Sequence, residues 1–206
     1  LSVRSIISIH YFDYMSVFTF PGESHDFWEL LCVDKGEIEA VAGEKRYSLK
    51  KGSIIFHQPN EFHNVITNGR SAPSLVVIAF ACNSPCMKAF QNQILTVQET
   101  ESALLAQIII EARQGFYGRL DDPYQEEMIR NTQTPAFGAE QLIRNYLEEL
   151  LIHLYRRYFA SPLPVPAQDP RLPRLGRPNE TYNRIHRYME EHIHEQLTIE
   201  KICKTT

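Results

Sequence analysis

The sequence predicts an α+β protein in which a closed antiparallel barrel or jelly roll is followed by helices. Three observations carry that expectation. Short apolar or alternating runs recur through residues 1–82, each the length of a strand. Gly, Pro, Asn and Asp turn signals separate them, leaving no room for the crossover helices a parallel sheet requires. Beyond residue 82 the apolar spacing lengthens from two to three or four residues, which is the helical period.

The strand candidates are 6–9, 14–20, 27–33, 38–42, 47–49, 54–57, 65–67 and 75–82. Turns are expected at Pro21-Gly22, Asp34-Lys35-Gly36, Ala42-Gly43-Glu44, Lys51-Gly52, Pro59-Asn60 and Asn68-Gly69. A short helical turn follows at 85–90. A helix is expected over 99–116, where Leu104, Leu105, Ile108, Ile109 and Ala112 share one face. Asp121-Asp122-Pro123 reads as the start of another over 124–130. The strongest helix runs over 137–159. Its stripe of Leu142, Ile143, Tyr146, Leu147, Leu150, Leu151, Leu154 and Tyr158 leaves Glu148, Glu149, Arg156 and Arg157 outside. Two readings of that stripe stay open. It caps the barrel, or Ile143, Leu147, Leu150 and Leu154 form the seam of a homodimer.

Pro162, Pro164, Pro166, Pro170, Pro173 and Pro178 forbid a helix over 161–178 and mark a linker. A further helical pattern starts at Asn179, with Ile185, Tyr188, Met189 and Ile193 inward and Arg184 and Arg187 outward. Thr198 is the expected N-cap of the next helix, and the chain ends at Thr206. Residues 179–206 therefore read as the first part of an incomplete domain. The expected organisation is a barrel over 1–82, a helical segment over 83–160, the linker and that fragment.

Composition narrows the function. With 43% hydrophobic and 22% charged residues in 206, the chain is neither a disordered tail, a collagen-like fibre nor a disulfide-dense miniprotein. No apolar run approaches the roughly 20 residues of a membrane span, so no membrane partner is expected. Cys32, Cys82, Cys86 and Cys203 follow neither zinc nor redox spacing and read as reduced thiols of a cytoplasmic protein. The net charge is −4, divided as −6 over residues 1–170 and +2 over residues 171–206. An acidic part and a mildly basic tail suit different tasks.

Ligand-type residues concentrate in Gly22-Glu23-Ser24-His25-Asp26-Phe27-Trp28-Glu29, with His57 and His63 later. Strand alternation puts His25, Phe27, Glu29 and Leu31 on one face and Trp28, Leu30 and Cys32 on the other. His25, Glu29 and His63 can thus converge inside a barrel, and two His with a carboxylate can hold a divalent metal. The alternatives are ordinary. His25 can be a hydrogen-bonded strand-start residue, His63 can orient a loop, and Glu29 can be held by Arg46 or a histidine. His57 is expected beside the barrel wall. No Ser-His-Asp or Cys-His constellation can be assembled.

This stretch resembles the cupin family. His25 stands for the second His of the family's first motif, Glu29 follows after three residues and Gly36 after six more, while Glu23 occupies the first His position. Gly52, Pro59 and His63 are similar to the second motif, with shifted spacing and Glu61 where the family has Gly. The chain as a whole is more specifically similar to AraC/XylS-type transcription regulators. Phe27-Trp28-Glu29-Leu30-Leu31 carries that likeness, with Met87, then Ile108-Ile109-Ile110-Glu111-Ala112, and Ile185, Tyr188, Met189, Ile193, Leu197-Thr198-Ile199, Ile202 and Cys203.

That resemblance implies a cupin-type barrel that senses a small-molecule effector such as a sugar or metabolite. A helical dimerisation segment and the first helices of a truncated helix-turn-helix domain would follow. Its effector site would comprise His25, Glu29, His57, His63, Tyr14, Arg46, Phe27 and Phe56, with Ile54 as a further wall residue. No cofactor is expected, a resident metal is left undecided, and DNA would be bound by the full-length regulator only. The rival reading is a metal-dependent cupin enzyme, an oxygenase or isomerase, with His25, Glu29 and His63 as ligands.

Overall fold

The computed structural model describes residues 1–13, 20–69, 72–122, 128–134 and 136–160, and then only Ile185, Tyr188, Met189, His192, Thr198 and Lys201. Two compact units divide the chain, Leu1–Pro162 and Leu163–Thr206. The expected strand at 14–20, apart from Phe20, and the linker at 161–178 lie outside the described residues. So does most of 179–206. In the second unit, the Lys201 amide donates to the Thr198 hydroxyl at 3.3 Å, the bond expected of an N-cap.

The strands are β1 (Ser5–Asp13), β2 (Trp28–Lys35), β3 (Glu37–Ala42), β4 (Lys45–Lys50), β5 (Ser53–His57), β6 (His63–Thr67), β7 (Ser74–Ala81) and β8 (Ile94–Thr96). They form two antiparallel sheets. The larger has the order β1-β7-β2-β5-β8 and the smaller β4-β3-β6. Alternation sorts the side chains of the larger sheet. Phe12, Leu31, Val33, Ile55, Leu75 and Val77 face the smaller sheet and pack with Ile38, Ala40, Ala42, Leu49 and Val65 as the inner core. Trp28, Leu30, Cys32, Ile54, Phe56, Val76, Ile78 and Phe80 face the other way.

A helical layer covers that outer face. The 3-10 turn Pro85–Phe90 contributes Met87 and Phe90, α1 (Glu99–Gly115) contributes Leu104, Leu105, Ile108, Ile109 and Ala112, and α2 (Ala139–Tyr158) contributes the leucine stripe. At the start of α1, the Gln98 amide donates to the Glu101 carboxylate at 2.8 Å. Arg157 of α2 donates to the same carboxylate at 3.0 Å, which ties the two helices at one end.

Several expectations need correction here. The dimer seam does not hold, because Ile143, Leu147, Leu150 and Leu154 are at most 1% exposed and belong to the chain's own outer core. Their spacing of three and four residues is that of the helix they occupy, and their partner is this chain's barrel wall and α1. Ile54 and Phe56 line no barrel interior, since they sit on the even-numbered face of β5 and pack toward the helices, while Ile55 faces inward. The described end of the helix expected over 124–130 is a strand: β10 (Ile129–Arg130) pairs with β9 (Phe116–Tyr117).

Candidate functional site

The inner core is apolar at one end and ionisable at the other. In the larger sheet Glu29 lies opposite His57 on one side and Ala79 on the other. From the smaller sheet His63 opens β6 opposite Ala42. His63 also pairs as an isolated bridge with Glu23, their amides and carbonyls exchanging bonds of 2.9 and 3.0 Å. That bridge needs Gly22. Its φ is +98°, and a Cβ there would stand 2.8 Å from the His63 carbonyl oxygen.

The backbone aims the two nearest imidazoles. His25 Nδ1 lies 3.1 Å from the Phe27 carbonyl oxygen, and His63 Nδ1 lies 2.9 Å from that of Glu61. Each Nδ1–H donates to a carbonyl two residues away, ahead of His25 and behind His63, which turns Nε2 toward the carboxylates. His25 Nε2 is 3.5 Å from Glu29 Oε2, and His63 Nε2 is 3.4 Å from Glu29 Oε1 and 3.8 Å from Glu23 Oε1. These distances are long for hydrogen bonds, and both Nε2 atoms are buried without a hydrogen-bond partner. His57 is fully buried, neither ring nitrogen has a partner, and its ring stacks on His63 at 4.3 Å between centroids.

Electrostatics follow from that packing. Burial pushes the Glu29 carboxyl up, but His25, His63 and His57 around it hold it well below the ordinary carboxylate range. Burial alone would depress the His63 imidazolium; the facing carboxylates of Glu23 and Glu29 lift it to about 10. Burial raises Glu61 too, yet His57 and the Gln58 amide bring it below its usual value. An unprotonated Nε2 would point its lone pair at carboxylate oxygens. The cluster therefore calls for a positive species at its centre, whether a proton, a donor group of a ligand or a metal ion.

His25, Glu29, His57 and His63 of the expected site are thus brought together. Phe27 is half-buried and stacks on the His25 ring at 3.8 Å, so it walls the cluster. Arg46 does not take part: its side chain is 69% exposed and pairs with Glu39 outside the barrel. Phe56 faces the helices, and Tyr14 lies outside the described residues. Three members were not singled out as site residues. Glu23 replaces an expected histidine, and Glu61 sits 3.7 Å from His57 Nδ1. His10 is buried among the inward residues Ser8 and Phe12, and burial depresses its imidazolium. Its period-two spacing from Phe12 was the available signal.

The ligand atoms of Glu23, His25, Glu29 and His63 lie within 4.8 Å of one another. With both Nε2 atoms lacking a hydrogen-bond partner, these residues fit a divalent cation, which would take the place of the His63 proton.

The sequence of the barrel points the same way as its geometry. Residues 7–82 match the family described as AraC-like ligand binding domain. They are an AraC-like ligand-binding domain with a cupin-like fold. No curated protein matches the chain by sequence. Among solved structures, apo ToxT from Vibrio cholerae is 10% identical with a TM-score of 0.47, over 99% of this chain and 71% of that one. ToxT bound to unsaturated fatty acid is 11% identical with a TM-score of 0.44, over 99% and 70%. The Cnp3 cupin domain of Schizosaccharomyces pombe is 13% identical with a TM-score of 0.33, over 36% of this chain and half of that one. Among the described residues no helix is long and apolar enough to cross a membrane.

Proposed function

We propose that this chain is the effector-sensing part of an AraC-type transcription regulator and not an enzyme. One observation carries the reading: an AraC-like ligand-binding domain closes around buried, unpartnered imidazole nitrogens beside an ionised Glu29. A polar effector with hydroxyl or amine donors satisfies Glu29, and its acceptors satisfy His25, His57 and His63. The full-length protein would carry the response to DNA as a homodimer in the cytoplasm, through surfaces other than the α2 stripe.

Transmission has a physical basis in the strands. β2 and β5 present Glu29 and His57 inward and Leu30 and Phe56 outward, so a ligand that shifts these strands repacks the helical layer. Phe56 meets Phe90 at 4.7 Å between centroids, and Phe90 meets Phe159 at 5.3 Å, just beyond α2. A ligand that prefers one packing of this aromatic group over another biases the chain after α2.

The test is calorimetric titration of sugars, polyols and small metabolites against the chain and its Glu29→Gln variant. A ligand is expected to bind, and the variant to lose about tenfold or more in affinity, the value of one hydrogen bond to a charged group. Binding that ignores Glu29→Gln overturns the site.

The compact donor set of Glu23, His25, Glu29 and His63 favours one second reading, a divalent cation held there for Lewis-acid or redox chemistry. Stoichiometric metal after purification, lost together with a turnover in His63→Ala, would replace the sensor reading with that of a cupin enzyme.

A further inference from the structure

A second concavity lies on the opposite side of the larger sheet, away from the ionisable cluster. Its volume is about 380 Å³, within the usual range for small-molecule sites. One wall is the sheet, with Cys32 and Val76 on its outer face and Tyr11 beside them. The other is one face of α1, where Leu105, Ala106, Ile109 and Ile110 recur at helical spacing. Both walls are regular elements, so the groove is preformed.

Its chemistry is amphipathic. Ile110 remains 43% exposed, an apolar side chain left at the rim. Two cations stand at the groove, Lys51 and Arg113, and neither joins an ion pair among the described residues. The Arg113 guanidinium carbon lies 6.0 Å from the centre of the Tyr11 ring. The anion lining the groove, Asp34, already accepts the Tyr11 hydroxyl at 2.7 Å. Two unpaired positive charges beside a continuous apolar wall ask for one kind of occupant.

We propose that the groove between α1 and the outer face of the larger sheet is a second small-molecule site that takes an amphipathic monocarboxylate. The apolar body lies against Cys32, Val76, Leu105 and Ile109, and the carboxylate meets Arg113 and Lys51. This site shares no residue with the barrel cluster and stands whether or not the barrel binds an effector.

The test uses the whole chain, labelled for amide NMR, and titrates three probes of equal chain length: octanoate, 1-octanol and octyltrimethylammonium. Octanoate is expected to bind tightest and to shift amides of α1 and Lys51-Gly52. Arg113→Gln combined with Lys51→Gln should reduce octanoate to the level of 1-octanol without moving the alcohol. Ala106→Trp, at an exposed helix position, should block both and leave the fold intact as read by the unshifted remainder of the spectrum. Glu29→Gln should leave octanoate binding unchanged. Equal binding of all three probes, shifts confined to the β2–β5 inner face, or octanoate binding that survives Ala106→Trp would each overturn the proposal.

Discussion

At the scale of the residue, Glu29 and His63 decide how the barrel interior responds to pH. His63 has a folded value of about 10 against an ordinary 6.5, so the stability it contributes is complete below 6.5 and is lost as pH rises toward 10. Glu29 is depressed from 4.5, so its contribution is complete above 4.5 and is lost as pH falls below it. In a chelator, the melting temperature should be highest between about pH 4.5 and 6.5 and should fall on the alkaline side. Glu29→Gln leaves buried His63 with half-exposed Glu23 and the Glu61 carboxylate as its remaining anions, which should cost about 3 kcal/mol near neutrality. It should also flatten most of the alkaline decline. Calorimetry from pH 6 to 10 checks this, and two parallel curves would show that the pair does not govern the response. The inward placement of Glu29 was legible from alternation with Leu31. The same rule places Arg46 on the face of β4 opposite buried Leu49 only once the sheet pairing is known, since a lone residue in a short strand has no parity of its own.

At the scale of the element, α1 and α2 meet closely where one ends and the other begins. A Cβ on Gly115 would stand 2.8 Å from the Ala139 Cβ. Replacing a helical glycine with alanine ordinarily gains about 1 kcal/mol. Here the overpacking costs about 1–3 kcal/mol, and neither Cβ can rotate away. Gly115→Ala should therefore destabilise the chain despite its better helix propensity. Adding Ala139→Gly should restore most of the loss. A single variant more stable than the parent in urea unfolding would refute the close approach. The helices themselves were legible because their apolar residues recur at three and four. What period could not tell was the partner, because a leucine stripe looks alike whether it meets a barrel wall or a second copy. The alternation within β2 held the missing half of that answer, since an apolar Trp28, Leu30 and Cys32 on the outward face demands a cover. The short pair β9 and β10 escaped for a different reason: two-residue strands carry no period at all.

At the scale of the molecule, the division expected after residue 82 is a boundary in sequence pattern and not in packing. β8 extends the larger sheet beyond β5, Tyr158 and Arg157 bond the Thr96 backbone, and Glu101 joins α1 to α2. Leu30, Ile54, Phe56, Ile78 and Phe80 are at most 1% exposed only because the helical layer lies on them. Burying each such side chain contributes about 1.5–3 kcal/mol, so a barrel ending at residue 82 would display an apolar sheet face that monomeric proteins avoid. A chain shortened to Leu1–Pro162 should melt in one cooperative step at nearly the temperature of the parent, because that unit holds both cores. A chain shortened to residues 1–82 should be recovered only as aggregate, or bind a dye specific for exposed apolar surface. A soluble, cooperatively folding 1–82 fragment would mean that sensing and the helical layer are separable. The transmission route through Phe56 and Phe90 would then lose its physical basis.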